Sequence, residues 1–150
     1  KWVELIDNLR SDLSVYLIGA PGDLEMCADI RDKSVHGNVR ILAGELTFLQ
    51  SAALMKDARM NFVNDSAPMH IASAVNAPVT AIYCSTIQEF GFGPLSDDSR
   101  IIETKESLEC RPCGLHGKKA CPKGHFKCAT TIETKEIIDF GKNKARSISG

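Results

Sequence analysis

Residues 60–83 read MNFVNDSAPMHIASAVNAPVTAIY, and this stretch decides the fold. Met60-Asn-Phe-Val63 has the character of a short strand and breaks at Asn64-Asp65-Ser66, three small polar residues suited to a turn. A helix is predicted from about Ala67 to Val75, since a proline is tolerated in a first turn, where its missing N–H is not needed. Val79-Thr-Ala-Ile-Tyr83 is a second strand. Strand, helix and strand joined this closely imply parallel pairing through a right-handed crossover.

The same alternation extends outward. Trp2, Leu5, Ile6 and Leu9 fall at helical spacing, and Ser14-Val-Tyr-Leu-Ile18 is an apolar run closed by Gly19-Ala-Pro-Gly22. Asp23 is placed to cap a helix whose apolar positions are Leu24, Cys27, Ala28 and Ile30. Val39-Arg-Ile-Leu42 is a strand ended by Ala43-Gly44. Thr47 and Gln50 have the spacing of a capping box, and the helix they open is expected to bury Phe48, Leu49, Ala52, Ala53 and Met55. Arg100-Ile-Ile-Glu103 is a last short strand. The fold class is therefore α/β: a Rossmann-like parallel sheet with helices on both faces, over residues 1–103. A Cys-rich basic loop over 104–128, a C-terminal helix over 129–141 and a polar tail over 142–150 complete the expected organisation.

The chain has 150 residues, 43% apolar and 25% charged, which fits one globular domain and excludes a disordered chain. Lys plus Arg number 18 and Asp plus Glu 19, a balance that argues against a dedicated nucleic-acid binder. No apolar run reaches the ~18 residues of a membrane span, and no signal peptide opens the chain. It starts at Lys1-Trp2 with neither Met nor a capping signal, so it reads as a piece of something longer.

In such sheets ligands bind at the carboxyl ends of strands, beside helix N-termini. At Asn64-Asp-Ser-Ala-Pro-Met-His70, helix N–H groups and the positive end of the helix dipole suit a phosphate. Asp65 and Ser66 can cap the helix or bind a sugar hydroxyl, and His70 can donate to a phosphate oxygen. The plainer reading has Asp65 and Ser66 only capping and His70 as an ordinary half-buried histidine, and spacing alone favours it. Glu25, in the first turn of its helix, can accept two ribose hydroxyls or simply sit favourably at the positive end of the helix dipole. Neither a Walker-type Lys nor a G-x-G-x-x-G turn is present.

Six cysteines are the uneven feature. Cys27 and Cys84 stand alone in apolar surroundings and read as small buried hydrophobes. Cys110, Cys113, Cys121 and Cys128 follow C-x2-C-x7-C-x6-C, with His116 and His125 interleaved. Four thiolates can bind tetrahedral zinc, Cys121 and His125 can offer a mixed pair, two disulfides are the rival, and free thiols are a third reading. Arg111, Lys118, Lys119, Lys123 and Lys127 lie in this segment without an acid, as a phosphate-meeting or merely solvated face.

Four stretches carry a resemblance to a known family: Trp2 through Leu9 leading to Leu17-Ile-Gly19; Leu42-Ala-Gly44 with Thr47 through Met55; Asn64-Asp-Ser-Ala-Pro-Met-His-Ile-Ala72; and Gly93-Pro-Leu95 with the cysteine pattern. The third is similar to the signature N-D-[ST]-G-P-M-H-L-A. The chain resembles the C-terminal domain of glycosyltransferase family nine, the lipopolysaccharide heptosyltransferases. The resemblance implies a GT-B enzyme of two Rossmann-like domains, whose C-terminal half binds a nucleotide-sugar such as ADP-heptose and whose reaction inverts the anomeric carbon. By position, Glu25 matches the ribose-holding acid and Leu46 lines the base pocket. Asp65, Ser66, Ala67 and His70 match the loop and helix start that contact diphosphate and sugar.

The family's catalytic base and its diphosphate-gripping basic residue are expected in a missing N-terminal part, leaving this chain inactive alone. Ala67 replaces a usual Gly, and Cys84-Ser-Thr86 replaces Gly-Pro-Thr. The resemblance further implies a glycolipid acceptor, no nucleic-acid partner, no cofactor for catalysis beyond a possible structural zinc, and a cytoplasmic enzyme peripheral to the inner membrane. Two other readings remain open: a zinc-stabilised nucleic-acid- or protein-binding module, and half of a sugar-nucleotide epimerase. Phe126 is the one aromatic among the basic residues, which counts against the first.

Overall fold

Val79–Tyr83 is the centre of a three-stranded sheet, and all five of its residues are buried. It is paired on both edges, so a continuous apolar run is what its environment selects. The computed structural model of the chain describes residues 1–138, with α1 (Trp2–Asp7), β1 (Val15–Leu17), α2 (Leu24–Lys33), β2 (Val39–Ile41), α3 (Phe48–Lys56), β3 (Asn61–Asn64), α4 (Ala67–Ala74), β4 (Val79–Tyr83), β5 (Ser99–Glu103) and α5 (Lys127–Thr130). A further helical stretch covers 134–138. The end of the expected C-terminal helix and the polar tail lie outside the described residues.

Every strand expected from the sequence is present, and all ladders are parallel, so the chain is a mixed α/β protein. The ladders form two open sheets rather than one run of hydrogen bonds: β1-β2 and β3-β4-β5. The described residues form two compact units, residues 1–51 with 134–138, and Ala52–Glu133.

In the first unit β1 and β2 pair with Val15 opposite Val39 and Leu17 opposite Ile41. Leu5 and Ile6 of α1 and Cys27 of α2 are buried, as the helical spacing required. The Asp7 carboxylate accepts the Ser34 hydroxyl and the Val35 N–H, linking the end of α1 to the end of α2. The Ser34 bond is the main reason Asp7 is held below the usual carboxylate range.

Two sequence expectations are corrected here. Asp23 occupies the cap position of α2, but its carboxylate accepts the Ala20 N–H at 2.8 Å and so closes the 3-10 turn Pro21–Asp23 instead. Leu24, beside it, is exposed. At α3 the capping box is present: Thr47 N–H donates to Gln50 Oε1 at 2.9 Å, and Gln50 N–H to Thr47 Oγ1 at 3.3 Å. Phe48 and Leu49, however, are 77% and 84% exposed, and Ala53 also faces out. The box fixes the register so that the buried stripe starts a turn later and culminates at Met55.

In the second unit α4 connects β3 to β4, with Phe62 opposite Thr80 and Val63 opposite Ala81. Met69 and Ala72 form its fully buried face. The Asn61 side chain donates to the carbonyls of Met55 and Pro78, both at 2.9 Å. The Tyr83 hydroxyl donates to Phe92 O at 2.8 Å. The β4–β5 connection holds only a 3-10 turn, Gln88–Phe90. Among the described residues no helix is long and apolar enough to cross a membrane.

Candidate functional site

The turn after β3 is set by backbone bonds. Asp65 N–H donates to Ile82 O at 3.1 Å, extending the β3–β4 ladder by one residue. Ser66 then takes an extended conformation (φ −163°, ψ −179°) and α4 begins. Although Ser66 stands at the cap position, its hydroxyl donates back to Asn64 O at 3.3 Å and caps nothing. Met69 N–H closes the first turn on Ser66 O at 3.0 Å. The helix therefore starts uncapped by any side chain, with its positive end at an exposed surface.

Asp65 is half-buried, and its carboxylate accepts the Thr86 hydroxyl; Thr86 itself is buried. Ser66, Ala67 and His70 are exposed. The plainer reading from sequence, in which Asp65 and Ser66 only cap and His70 is half-buried, thus differs from the observed geometry on all three residues. What results is a fixed carboxylate beside an open helix N-terminus. The first suits hydroxyl donors and the second anionic oxygens. In the first unit Glu25 is exposed in the opening turn of α2, and Leu46 is half-buried between Gly44 and the capping box of α3.

The cysteine segment belongs to the second unit. Cys110, Cys113, Cys121, Cys128 and His125 line one cavity of about 230 Å³. None of the six cysteines is in a disulfide. Phe126 N–H, the strongest contributor, and the backbone N–H groups of Lys123, Gly124 and His125 hold the Cys121 thiol below its ordinary pKa, against burial. Burial first, and then the other three sulfurs, push Cys128 up. Among the described residues no three His, Cys, Asp or Glu side chains already stand at metal-holding separation. Cys27 is buried as expected, whereas Cys84 is half-buried.

Arg111 and Cys113, read from sequence only as a basic residue and a metal-type cysteine, connect these features through contacts that the sequence did not foretell. Arg111 donates from Nε to Cys84 O at 2.9 Å and from Nη2 to Thr86 O at 2.8 Å, and pairs with the Glu103 carboxylate. Cys113 N–H donates to Ser85 O at 2.8 Å. Residues 84–86 are thereby gripped from the cysteine segment on one side, while Thr86 holds Asp65 on the other. The only sequence signal was an Arg inside the C-x2-C turn, which a solvated basic face would equally have explained.

The family described as glycosyltransferase family 9 (heptosyltransferase) has a model matching residues 1–123. A lipooligosaccharide heptosyltransferase 2 of Campylobacter jejuni is 22% identical over 139 residues, covering 91% of this chain and 42% of that protein. A lipopolysaccharide heptosyltransferase 3 of Escherichia coli is 35% identical over 89 residues, covering 57% of this chain and 26% of that protein. The chain thus spans less than half the length of these relatives.

Two solved structures share the fold. One is a glycosyl transferase family 9 protein from Veillonella parvula (TM-score 0.77) and the other an E. coli ADP-heptose LPS heptosyltransferase II (TM-score 0.62). Each is 24% identical, and the matches cover 95% of this chain and 40% and 41% of those chains. The strand order, the Asp65–His70 turn and a family match over most of the residues lead to one conclusion: this chain belongs to glycosyltransferase family 9.

Proposed function

We propose that this chain supplies the nucleotide-sugar-binding part of an inverting bacterial heptosyltransferase acting on lipopolysaccharide or a related surface glycan. The observation that carries the reading is the uncapped, exposed start of α4 beside the half-buried Asp65, within the stretch that matches the family signature. The α4 N-terminus and His70 take the diphosphate, whose negative charge grows as it leaves. Asp65 accepts a sugar hydroxyl, with Ser66 and Ala67 forming the wall against which it rests. For Glu25 and Leu46, in the first unit, the family resemblance implies contact with the ribose hydroxyls and the base.

Inversion follows from one in-line displacement: the acceptor oxygen attacks the anomeric carbon, the bond to the diphosphate breaks, and a base removes the hydroxyl proton. In this reading the base and the glycolipid site lie in a part of the enzyme N-terminal to these residues, and the residues alone do not turn over. The transfer itself is assigned no cofactor. The enzyme works in the cytoplasm, at the inner face of the membrane that carries its acceptor.

The test is calorimetric titration of the intact enzyme with ADP-, GDP- and UDP-sugars. Asp65→Ala and His70→Ala are each expected to weaken the preferred donor about tenfold or more, the loss of one charge-assisted hydrogen bond. Undiminished binding of every donor by both variants refutes the assignment.

A further inference from the structure

We propose that Cys110, Cys113, Cys121 and Cys128 bind one structural zinc ion, and that this ion holds together the segment that fastens residues 84–86 beneath Asp65. The site is independent of the donor reading and would exist whatever sugar the enzyme transfers.

The backbone supplies two turns of the kind thiolate ligands need. In Cys110-Arg-Pro-Cys113-Gly114 the Cys113 thiol donates to Cys110 O at 3.2 Å, and Gly114 takes φ +80°, a conformation that favours glycine. In Cys121-Pro-Lys-Gly-His125, Gly124 takes φ +72° and its N–H closes the turn on Cys121 O at 3.1 Å. Phe126 N–H then reaches the Cys121 sulfur at 3.4 Å. The second turn thus presents a sulfur that already accepts a backbone N–H, the setting in which a thiolate is favoured, while in the first the Cys113 thiol still spends its proton on a carbonyl and would release it on binding metal.

All four cysteines line the same cavity, Cys128 from the start of α5. Their side chains do not yet converge. Zn–S bonds of about 2.3 Å require the half-buried Cys110, Cys113 and Cys121, all on turns, to swing to other rotamers toward the buried Cys128 of α5.

His125 helps to choose the ligand set. Its Nδ1 accepts Lys127 N–H at 3.0 Å, so the ring proton sits on Nε2, which points at the Cys110 sulfur at 3.8 Å. A histidine donating to a thiolate is an outer partner of a metal site, not a ligand. Charge agrees: four thiolates around Zn²⁺ leave a net charge of −2, and the segment from Cys110 to Cys128 holds five basic residues and no acid.

The mechanical consequence follows from what lies between the ligands. Arg111 sits inside the first turn and holds the carbonyls of Cys84 and Thr86, while Cys113 N–H holds Ser85 O. A Cβ on Gly117 would come within 2.6 Å of Ser85 Oγ, so the segment is closely seated there.

The intact protein, purified from zinc-replete growth without chelators, is analysed for metal and thiols. About one zinc per chain is expected, with most of it lost in Cys121→Ser and none lost in Cys27→Ser. Because Cys121→Ser can fail to fold, cobalt is also titrated into chelator-treated wild-type protein. A tetrahedral thiolate site gives visible d–d bands and thiolate-to-cobalt charge transfer. Zinc removal is expected to speed amide exchange at 84–86, which mass spectrometry reads without reference to donor binding.

Zinc below about 0.2 per chain with a featureless cobalt spectrum overturns the site, as does a mass showing two disulfides. Zinc at full content with exchange at 84–86 unchanged by its removal overturns the fastening role. Full zinc in a protein that binds no nucleotide-sugar leaves this site standing and removes the donor reading.

Discussion

Arg111→Met tests the grip on residues 84–86 directly, because it keeps the apolar stem and removes only the guanidinium. The Arg111 side chain is 12% exposed, and its two carbonyl acceptors sit at 2.9 and 2.8 Å. Each charge-assisted bond is worth about 1.5 kcal/mol at the lower end of its range, so losing both costs about 3 kcal/mol. Glu103 is 45% exposed, and that ion pair adds about 0.5 kcal/mol at most.

Urea unfolding is the assay. With a slope of about 2 kcal/mol/M, the midpoint of Arg111→Met falls by about 1.5 M with the slope unchanged. Arg111→Lys keeps the charge but reaches one carbonyl, and recovers up to about half of the loss. Glu103→Gln shifts the midpoint by less than about 0.3 M. A shift for Arg111→Met that is no larger than that of Glu103→Gln refutes the reasoning, since the carbonyl grip would then contribute nothing.

Other perturbations bear on separate links. Thr86→Val removes the hydroxyl that Asp65 accepts, and is expected to lower stability by about 1–2 kcal/mol in the same urea assay; an unchanged midpoint would mean that the bond does not persist in solution. Thr47→Ala and Gln50→Ala each lose about 1 kcal/mol, and the double variant loses less than their sum because each residue bonds the other; strict additivity in thermal melts would contradict the box. Burial, and then Asp65 and Glu103, push the Tyr83 phenol up to about 12. The unfolded phenol ionises near about 10, so this stabilisation is complete below pH ~10 and is lost as pH rises toward ~12. Midpoints measured from pH 9 to 12 should fall less steeply in Tyr83→Phe than in the wild type, and parallel curves would exclude the effect.

What could be read from the sequence was what local chemistry controls. The β4 run is continuous because both faces and both edges are covered, and a two-edged buried strand tolerates little else. Thr47 and Gln50 announced α3 because a capping box is satisfied within four residues. Phe48 and Leu49 misled because periodicity says which positions share a face but not how far along a helix the packing extends.

Asp23 misled in a related way: the same carboxylate can close the turn before the helix or cap the helix itself, and only the path of the chain decides. The link from Arg111 through Thr86 to Asp65 spans separations of 25 and 21 residues, and nothing local encodes it. The cysteine spacing showed four ligand-type residues, while the role of the arginine between them required coordinates.

Gly44 has φ +78°, and a Cβ there would lie 2.9 Å from the Cα of Pro21. The loops leaving β1 and β2 therefore touch closely, Gly44 N–H donating to Gly19 O at 2.9 Å and the side chain at the contact being the rigid Pro21 ring, which cannot move aside to absorb change. Variation in this region should come in correlated pairs: a longer or bulkier 19–23 turn demands a matching alteration at 43–47. Grafting loops from a relative would mean transplanting both together, since either one alone arrives without the partner surface it was shaped against.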